Sequence, residues 1–297
     1  MKKITEEIVE NSLNKIGKRY HLINRDQFYY LLVKSENIPN TAESYNTFIE
    51  IVNDALETGE SWPWRLCDCE PQDENPPYFE YILTDPKEYL RERIAEELLI
   101  MPIFNKWYNQ EYMLKIIVNS QTIHKCLTCS SDIIKQVDVQ SAQSFFKHNI
   151  FYSEWHRFAE ISSERGKKIV ILYLGNLDSR DFGIFELIRN KFKDVVFGFE
   201  HIGINVEQAK TLLPSPINNK GFKDKAFSEF QKENHIKHSY QLEAFDPWDL
   251  VELVESKIRK YYDEDLYPSE KEAEWEQAFK EVKRPLIKVV DKVLGLR

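Results

Sequence analysis

Glycine and cysteine are both scarce in this 297-residue chain, and each shortage excludes classes of protein. Only nine glycines are present, and none forms the cluster that cradles phosphates in P-loops and dinucleotide-binding loops. The four cysteines fall in two close pairs, Cys67-x-Cys69 and Cys126-x-x-Cys129. Paired thiols raise the hypothesis of a structural zinc site, but the tight first spacing favours unconnected free cysteines, so we do not expect zinc.

Long apolar runs and an excess of positive charge are lacking too. No run approaches the ~18 apolar residues of a membrane span, and the N-terminus has no signal-peptide core. We therefore expect a cytoplasmic protein with no membrane partner. The net charge of −9 argues against nucleic-acid binding over the whole surface but leaves room for a local basic groove. A hydrophobic content of 42% is enough for packed domains.

Helical signals dominate the N-terminal third. Thr5 is predicted to cap a helix that runs to about residue 20. Asn24 with Gln27 three residues later predicts a capping box on a second helix. Thr41 begins a third helix, which closes at Gly59. Three short helices and the irregular stretch after them fit a winged-helix-like domain with a linker helix over residues 1–108, or a generic helical cap on the next domain.

Strands and helices alternate in the next part of the chain, which predicts an α/β domain with a mainly parallel sheet over residues 109–262. The most apolar strand, 168–174, reads Lys-Ile-Val-Ile-Leu-Tyr-Leu, as expected for a strand covered on both faces. The other predicted strands lie at 112–118, 137–139 and 195–204, with helices at 122–134, 142–165 (broken near 149) and 185–192. A charged helical segment, 263–297, ends the chain and could face a partner.

Ligands bind at the carboxyl ends of the strands in an open parallel sheet. Two such ends carry polar residues here. The first strand leads into Asn119, and the most apolar strand leads into Asn176 and Asp178. These three residues are the candidate site at the sheet edge, although Asp178 could instead cap the following helix.

Residues 25–29 read Arg-Asp-Gln-Phe-Tyr, which places Tyr29 one helical turn after Arg25. Tyrosine is a poor nucleophile at its ordinary pKa of about 10, so a tyrosine that attacks needs help nearby. This motif, with Ile-Pro-Asn-Thr at 38–41 and Leu-Glu-Ala-Phe-Asp-Pro at 242–247, resembles the family around the A subunit of topoisomerase VI and the meiotic double-strand-break transesterase. The small stand-alone relatives are the most similar, and the resemblance covers about residues 20–262.

The resemblance implies a winged-helix domain that carries a catalytic tyrosine, Tyr29, followed by a Toprim domain. It implies that Arg25 contacts the scissile phosphate or the phenolate, and that Asn119, Asn176 and Asp178 occupy the metal positions. A Toprim site needs acids at all three, so two are replaced here by neutral amides, which cannot act as bases. Mg²⁺ is usually held by carboxylates and substrate phosphates, so the sequence predicts a weak Mg²⁺ site.

Two further sets of residues complete the candidate site. Asp181 and Glu186 could replace a missing acid. Lys220, Lys223 and Lys225 belong to a lysine-rich segment that could grip a DNA backbone, or could form a solvated loop because acids are interspersed with them.

Three functions are consistent with these observations. The favoured one is a DNA-binding protein with a degenerate Toprim domain and weak or absent catalysis. The second is Mg²⁺-dependent DNA cleavage or transesterification through Tyr29. The third is a protein-binding scaffold or inhibitor that uses the C-terminal helical segment. The resemblance places DNA in a groove between the two domains and leaves a homodimer open.

Overall fold

The computed structural model describes residues 3–17, 19–20, 23–66, 107, 109–146, 148–216, 225–266 and 269–294. The chain divides into two compact units. The first unit spans residues 1–70 and 110–262, so it holds both the N-terminal helices and the sheet. The second unit contains the C-terminal helix. The predicted linker helix lies outside the described residues.

Three helices form the N-terminal part of the first unit, and each begins at its predicted cap. The side chains of Thr5, Asn24 and Thr41 accept the N-cap hydrogen bonds, and Asn24 forms the predicted capping box with Gln27. A short 3₁₀ turn follows the third helix. The helices are α1 (Glu6–Ile16), α2 (Arg25–Glu36) and α3 (Ala42–Glu57).

Apolar residues of these helices form one core. Phe28, Tyr29 and Leu32 of α2 are fully buried with Phe48 and Val52 of α3. In α3 the helical spacing of the buried residues puts them on one face, whereas α2 buries residues 27–30 in succession and is therefore covered on most sides.

The described strands form one sheet in the order β2-β1-β3-β4, and all three neighbouring pairs are parallel. The predicted α/β class with a parallel sheet is therefore confirmed. The bounds of β1 and β3 match the prediction, whereas β4 is shorter than predicted. The strands are β1 (Tyr112–Val118), β2 (Asp138–Ser141), β3 (Lys168–Leu174) and β4 (Gly198–His201).

Helices connect and follow these strands. Their described bounds are α4 (Gln121–Ser130), α5 (Asp132–Lys135), α6 (Ala142–Phe145), α7 (His148–Arg165), α8 (Ser179–Phe192), α9 (Val206–Ala209), α10 (Lys225–Glu233) and α11 (Pro247–Arg259).

Three predicted helix bounds are wrong. The single helix predicted over 122–134 is two helices, because Ser131 is extended and its side chain caps α5. The break predicted near Asn149 lies earlier, between α6 and α7. Helix α8 begins well before residue 185, because Asp178 caps it at Ser179.

In the second unit, α12 (Ser269–Leu294) is one helix that contains Pro285. Four aliphatic side chains of this helix are exposed: Val282, Leu286, Val289 and Val293. We call these four residues the C-terminal stripe. Within the part of the chain that the structure describes, no helix combines the length and the apolar character needed to cross a membrane.

Candidate functional site

Two of the predicted site residues lie at the edge of the sheet where β1 and β3 end. The register pairs Val118 with Leu174, the last residues of the two strands. Asn119 follows directly, and its backbone N–H donates to the Leu174 carbonyl at 2.9 Å. Asn176 lies just beyond the end of β3. Because parallel strands end at one edge of a sheet, the two asparagines lie at the place that the sequence predicts for a ligand.

Asp181 connects these two asparagines, although it lies in the first turn of α8. Its Oδ2 accepts hydrogen bonds from Asn119 Nδ2 at 3.1 Å and from the Asn176 N–H at 2.5 Å. Its Oδ1 accepts from the Tyr173 hydroxyl at 3.0 Å. The side chain is only 3% exposed. Of the two candidate replacement acids, Asp181 therefore lies beside both amide positions.

The electrostatics of this cluster are set by burial. Burial and the neighbouring Asp178 carboxylate raise the pKa of Asp181 to about 6, although its three donors act in the opposite direction. At neutral pH Asp181 is therefore ionised, and it can accept all three hydrogen bonds. Burial and the Asp181 charge also raise the pKa of Tyr173, so this hydroxyl stays protonated and donates.

Asp178, the one carboxylate at a predicted metal position, caps helix α8. Its Oδ1 accepts from the Asp181 N–H at 2.9 Å, and the residue is 7% exposed. This is the helix-capping alternative that the sequence left open. The same bond fixes the start of α8 and so directs Asp181 toward Asn119.

Few atoms of this cluster remain for a metal. Asn176 Oδ1 accepts from the Leu242 N–H at 2.9 Å, whereas Asn119 Oδ1 is buried without a partner among the described residues. No three His, Cys, Asp or Glu side chains of the described residues form a group that could hold a metal. Mg²⁺ prefers carboxylate oxygens and water, so these residues do not fit an ordinary Toprim metal site.

Tyr29 lies inside the helical core and not at the sheet edge. It is fully buried, with ring centroids 5.1 Å from Tyr45 and 5.6 Å from Phe48. Its hydroxyl donates to the Thr41 carbonyl at 3.4 Å. Burial raises the pKa of Tyr29 to about 12, so the phenolate needed for attack is disfavoured.

Arg25 lines a surface pocket of about 390 Å³ beside the start of α2. The pocket also contains two acids, Asp26 and Glu50, so it is not a purely cationic phosphate site. The Tyr45 hydroxyl donates to Asp26 Oδ1 at 2.7 Å, and this carboxylate helps burial to raise the pKa of Tyr45. Arg25 and Tyr29 therefore do not form an activated nucleophile in this conformation.

A short segment links the N-terminal helices to the sheet edge. The Tyr30 hydroxyl donates to Gln241 Oε1 at 2.9 Å. The next residue, Leu242, donates its N–H to Asn176, which in turn donates its own N–H to Asp181. Tyr30 directly follows the tyrosine motif, so the segment 241–242 links the residue next to that motif with the sheet edge.

The remaining predicted residues add little to this site. Lys220 and Lys223 lie outside the described residues, and Lys225 begins α10. Cys67 and Cys69 are also outside the described residues. Cys126 and Cys129 are free thiols, one buried and one exposed.

A second buried polar cluster was missed by the sequence reasoning. Lys115, in the middle of β1, is 2% exposed, and its Nζ lies 2.8 Å from Asp138 Oδ1 and 3.7 Å from Glu154 Oε2. Arg157 contacts both acids as well. A single charge within the apolar run of β1 was the available signal, since a lysine is rarely buried unless it is paired.

A comparison of the chain with protein-family models, curated proteins and solved structures finds no match.

Proposed function

We propose that this chain is a cytoplasmic, non-catalytic DNA-binding protein related to the topoisomerase VI A family, with a winged-helix-like N-terminal region and a degenerate Toprim-like domain. The observation that carries the proposal is the cluster around Asp181. At the sheet edge, two amides and two acids are held by hydrogen bonds to one another and to the backbone. A metal would have to replace hydrogen bonds that Asp181 and Asn176 already accept, although Asn119 Oδ1 has no partner among the described residues.

The position of Tyr29 also supports the loss of catalysis. A nucleophile must reach its substrate and lose its proton, whereas this side chain is fully buried and its pKa is raised. The buried hydroxyl and its Thr41 partner are better explained as packing within the helical core. The resemblance in the tyrosine motif then reflects ancestry.

The charge distribution indicates where DNA contacts belong. Helix α3 would be the recognition helix of a helix-turn-helix, but it carries four acids and no lysine or arginine. Helix α8 has Arg189 and Lys191 in its last turn, and Lys193 follows it. DNA phosphates are attracted to basic side chains, so we assign the contacts to the α/β part of the chain.

A nicking assay tests the absence of catalysis. Supercoiled DNA with Mg²⁺ or Mn²⁺ is expected to stay intact with the parent protein, because Tyr29 is buried and the acids are engaged. Tyr29→Phe should behave identically. Tyr30→Phe is the matched control, since it removes the neighbouring hydroxyl, which bonds to Gln241. Cleavage by the parent and by Tyr30→Phe, but not by Tyr29→Phe, would show that the protein is an enzyme.

DNA binding itself is tested by fluorescence anisotropy over a series of salt concentrations. We expect log K to fall linearly with log[salt], as for any protein that displaces counterions from phosphates. An affinity for DNA that is absent, or that does not respond to salt, contradicts the proposal.

A protein-binding scaffold is the second candidate. It is favoured by the C-terminal stripe, whose four aliphatic side chains are 39% to 78% exposed on one helix. Exposed apolar patches commonly mark interaction sites. This candidate becomes the better one if the purified protein binds neither duplex nor single-stranded DNA.

A further inference from the structure

A surface groove of about 430 Å³ lies between α7 and α8, away from the Asp181 cluster. It is lined by four aromatic or imidazole rings and one cation: Phe151, Tyr152, Trp155, His156 and Lys191. We call it the aromatic groove. Its composition differs from that of the pocket beside the start of α2, which contains Arg25 together with two carboxylates.

The base of the aromatic groove is fixed by the core. The ring of Phe151 packs at 5.6 Å from Phe145 and 4.8 Å from Phe192, both of which are fully buried. In contrast, Tyr152 is 66% exposed. The groove therefore presents an open ring on a rigid base, which reduces the entropy lost when a planar ligand stacks on it.

His156 supports the exposed tyrosine. Its ring centroid lies 4.4 Å from that of Tyr152 and 5.2 Å from that of Trp155, with edge-to-face geometry in both pairs. These contacts restrict the orientation of the Tyr152 ring while they leave it accessible.

Lys191 supplies the charge of the groove. It is exposed, and among the described residues it takes part in no ion pair or hydrogen bond. An anionic group bound next to the rings would therefore not compete with an internal carboxylate for this lysine. A ligand that fits has a planar ring beside a negative charge, and a nucleotide unit has both.

We propose that the aromatic groove binds single-stranded nucleic acid, with a base stacked on Tyr152 and a backbone phosphate near Lys191. The inference rests on the proposed DNA-binding function. It adds where the DNA binds and that the bound DNA is single-stranded. Aromatic platforms next to cations are the usual means of binding single strands without reading their sequence. Stacking on Tyr152 requires an unpaired base, so duplex DNA does not use this groove.

The test compares variants by anisotropy with a labelled thymidine oligonucleotide about 12 nucleotides long, within the ~4–16 nucleotides that single-strand sites cover. Tyr152→Ala is expected to raise the Kd by about 5-fold or more, because it removes the stacking surface. Lys191→Glu should weaken binding and flatten its salt dependence. Trp248→Ala is the matched control: Trp248 is 42% exposed in the first turn of α11, next to Asp249 and outside the groove, and this variant should bind with the Kd of the parent.

Two further measurements make the result specific. An abasic oligonucleotide of equal length should bind parent and Tyr152→Ala with the same Kd, because no base is left to stack. Thermal unfolding of each variant checks that an exposed substitution has left the fold intact. If Tyr152→Ala binds the thymidine strand as tightly as the parent does, or if the abasic strand binds the parent as tightly as the thymidine strand, the groove is not the site.

A duplex of the same sequence separates the two proposals. If the parent binds duplex DNA in a salt-dependent way and Tyr152→Ala binds the single strand as tightly as the parent, only the proposal for the groove is overturned. Failure of the parent protein to bind either form of DNA overturns both the groove and the proposed function.

Discussion

Single residues at the end of β3 show how burial determines chemistry. Tyr173 and His201 are paired in register on β3 and β4, and their ring centroids lie 5.7 Å apart. The ring of Phe185 also contacts His201, with centroids 5.5 Å apart. Burial among these rings lowers the pKa of His201 to about 4. The imidazole is therefore neutral at pH 7, and charging it costs free energy in the folded state.

This shift predicts a dependence of stability on pH. In the unfolded chain a histidine takes up its proton near pH 6.5, whereas folded His201 resists until about pH 4. The unfolded state thus binds more protons between these values, so the free energy of unfolding falls as the pH drops from about 6.5 to 4. We expect this residue to account for about 1–3 kcal/mol of that loss, measured by urea unfolding at several pH values.

His201→Phe should remove this contribution while it keeps the aromatic contacts. As the pH falls, the free energy of unfolding should decrease more for the parent than for His201→Phe. His238→Gln, a change at an exposed histidine, serves as the control and should keep the pH profile of the parent. Parallel pH profiles for parent and His201→Phe would show that His201 titrates normally.

The candidate site was only partly predictable at this scale. Asn119 and Asn176 could be placed at one sheet edge, because continuous apolar runs identified β1 and β3 and their parallel pairing. The sequence could not decide between Asp181 and Glu186 as the replacement acid, since the position of Asp181 depends on the direction in which α8 leaves its cap at Asp178. The hydrogen bond from Tyr29 to the Thr41 carbonyl could not be predicted either, since it depends on the packing of α2 on α3.

At the scale of elements, the buried cluster around Lys115 holds β2 against β1. The register places Lys115 opposite Asp138, and Arg157 of α7 bonds to the same carboxylate. A one-residue slip of β2 would move Asp138 to the other face and leave Lys115 buried without this partner. The pair therefore favours one register of a strand that is only four residues long.

Asp138→Ala tests this role. Without Asp138, Arg157 and the buried Lys115 must share Glu154, so one positive charge loses its carboxylate and the free energy of unfolding should fall by about 2–5 kcal/mol. The matched control is Glu111→Ala, which removes the exposed partner of Lys168 on β3 and should have a far smaller effect. Chemical denaturation measures both. Equal losses for the two variants would mean that the Lys115 cluster does not specify the strand.

Element bounds follow the sequence where a local signal is strong. The caps of α1, α2 and α3 were predicted because a capping side chain acts within three residues of itself. The division between α4 and α5 was missed, although Ser131 offers the same kind of signal, because apolar residues continue at helical spacing on both sides of it. The prediction made β4 too long, since the apolar residues around it do not mark where hydrogen bonding to β3 stops.

For the whole molecule, the C-terminal stripe is the feature that bears on assembly. Its residues are spaced by four, three and four positions along α12, which puts them on one face of the helix. This spacing reads the same in both directions. Two antiparallel copies of α12 can therefore place Val282 of one opposite Val293 of the other, and Leu286 opposite Val289, as two-fold symmetry requires.

We expect the protein to form a homodimer through this stripe. Sedimentation equilibrium should give a mass that rises from monomer to dimer as the concentration increases. The double variant Leu286→Glu/Val289→Glu should stay monomeric, because its charges would be buried in the dimer without partners. Phe197→Glu, which charges an exposed apolar residue of the first unit, should leave the mass of the dimer unchanged. A parent protein that is monomeric at every concentration would contradict self-association. The stripe would then be assigned to a different protein partner, because covering four exposed aliphatic side chains on one helix face lowers the free energy.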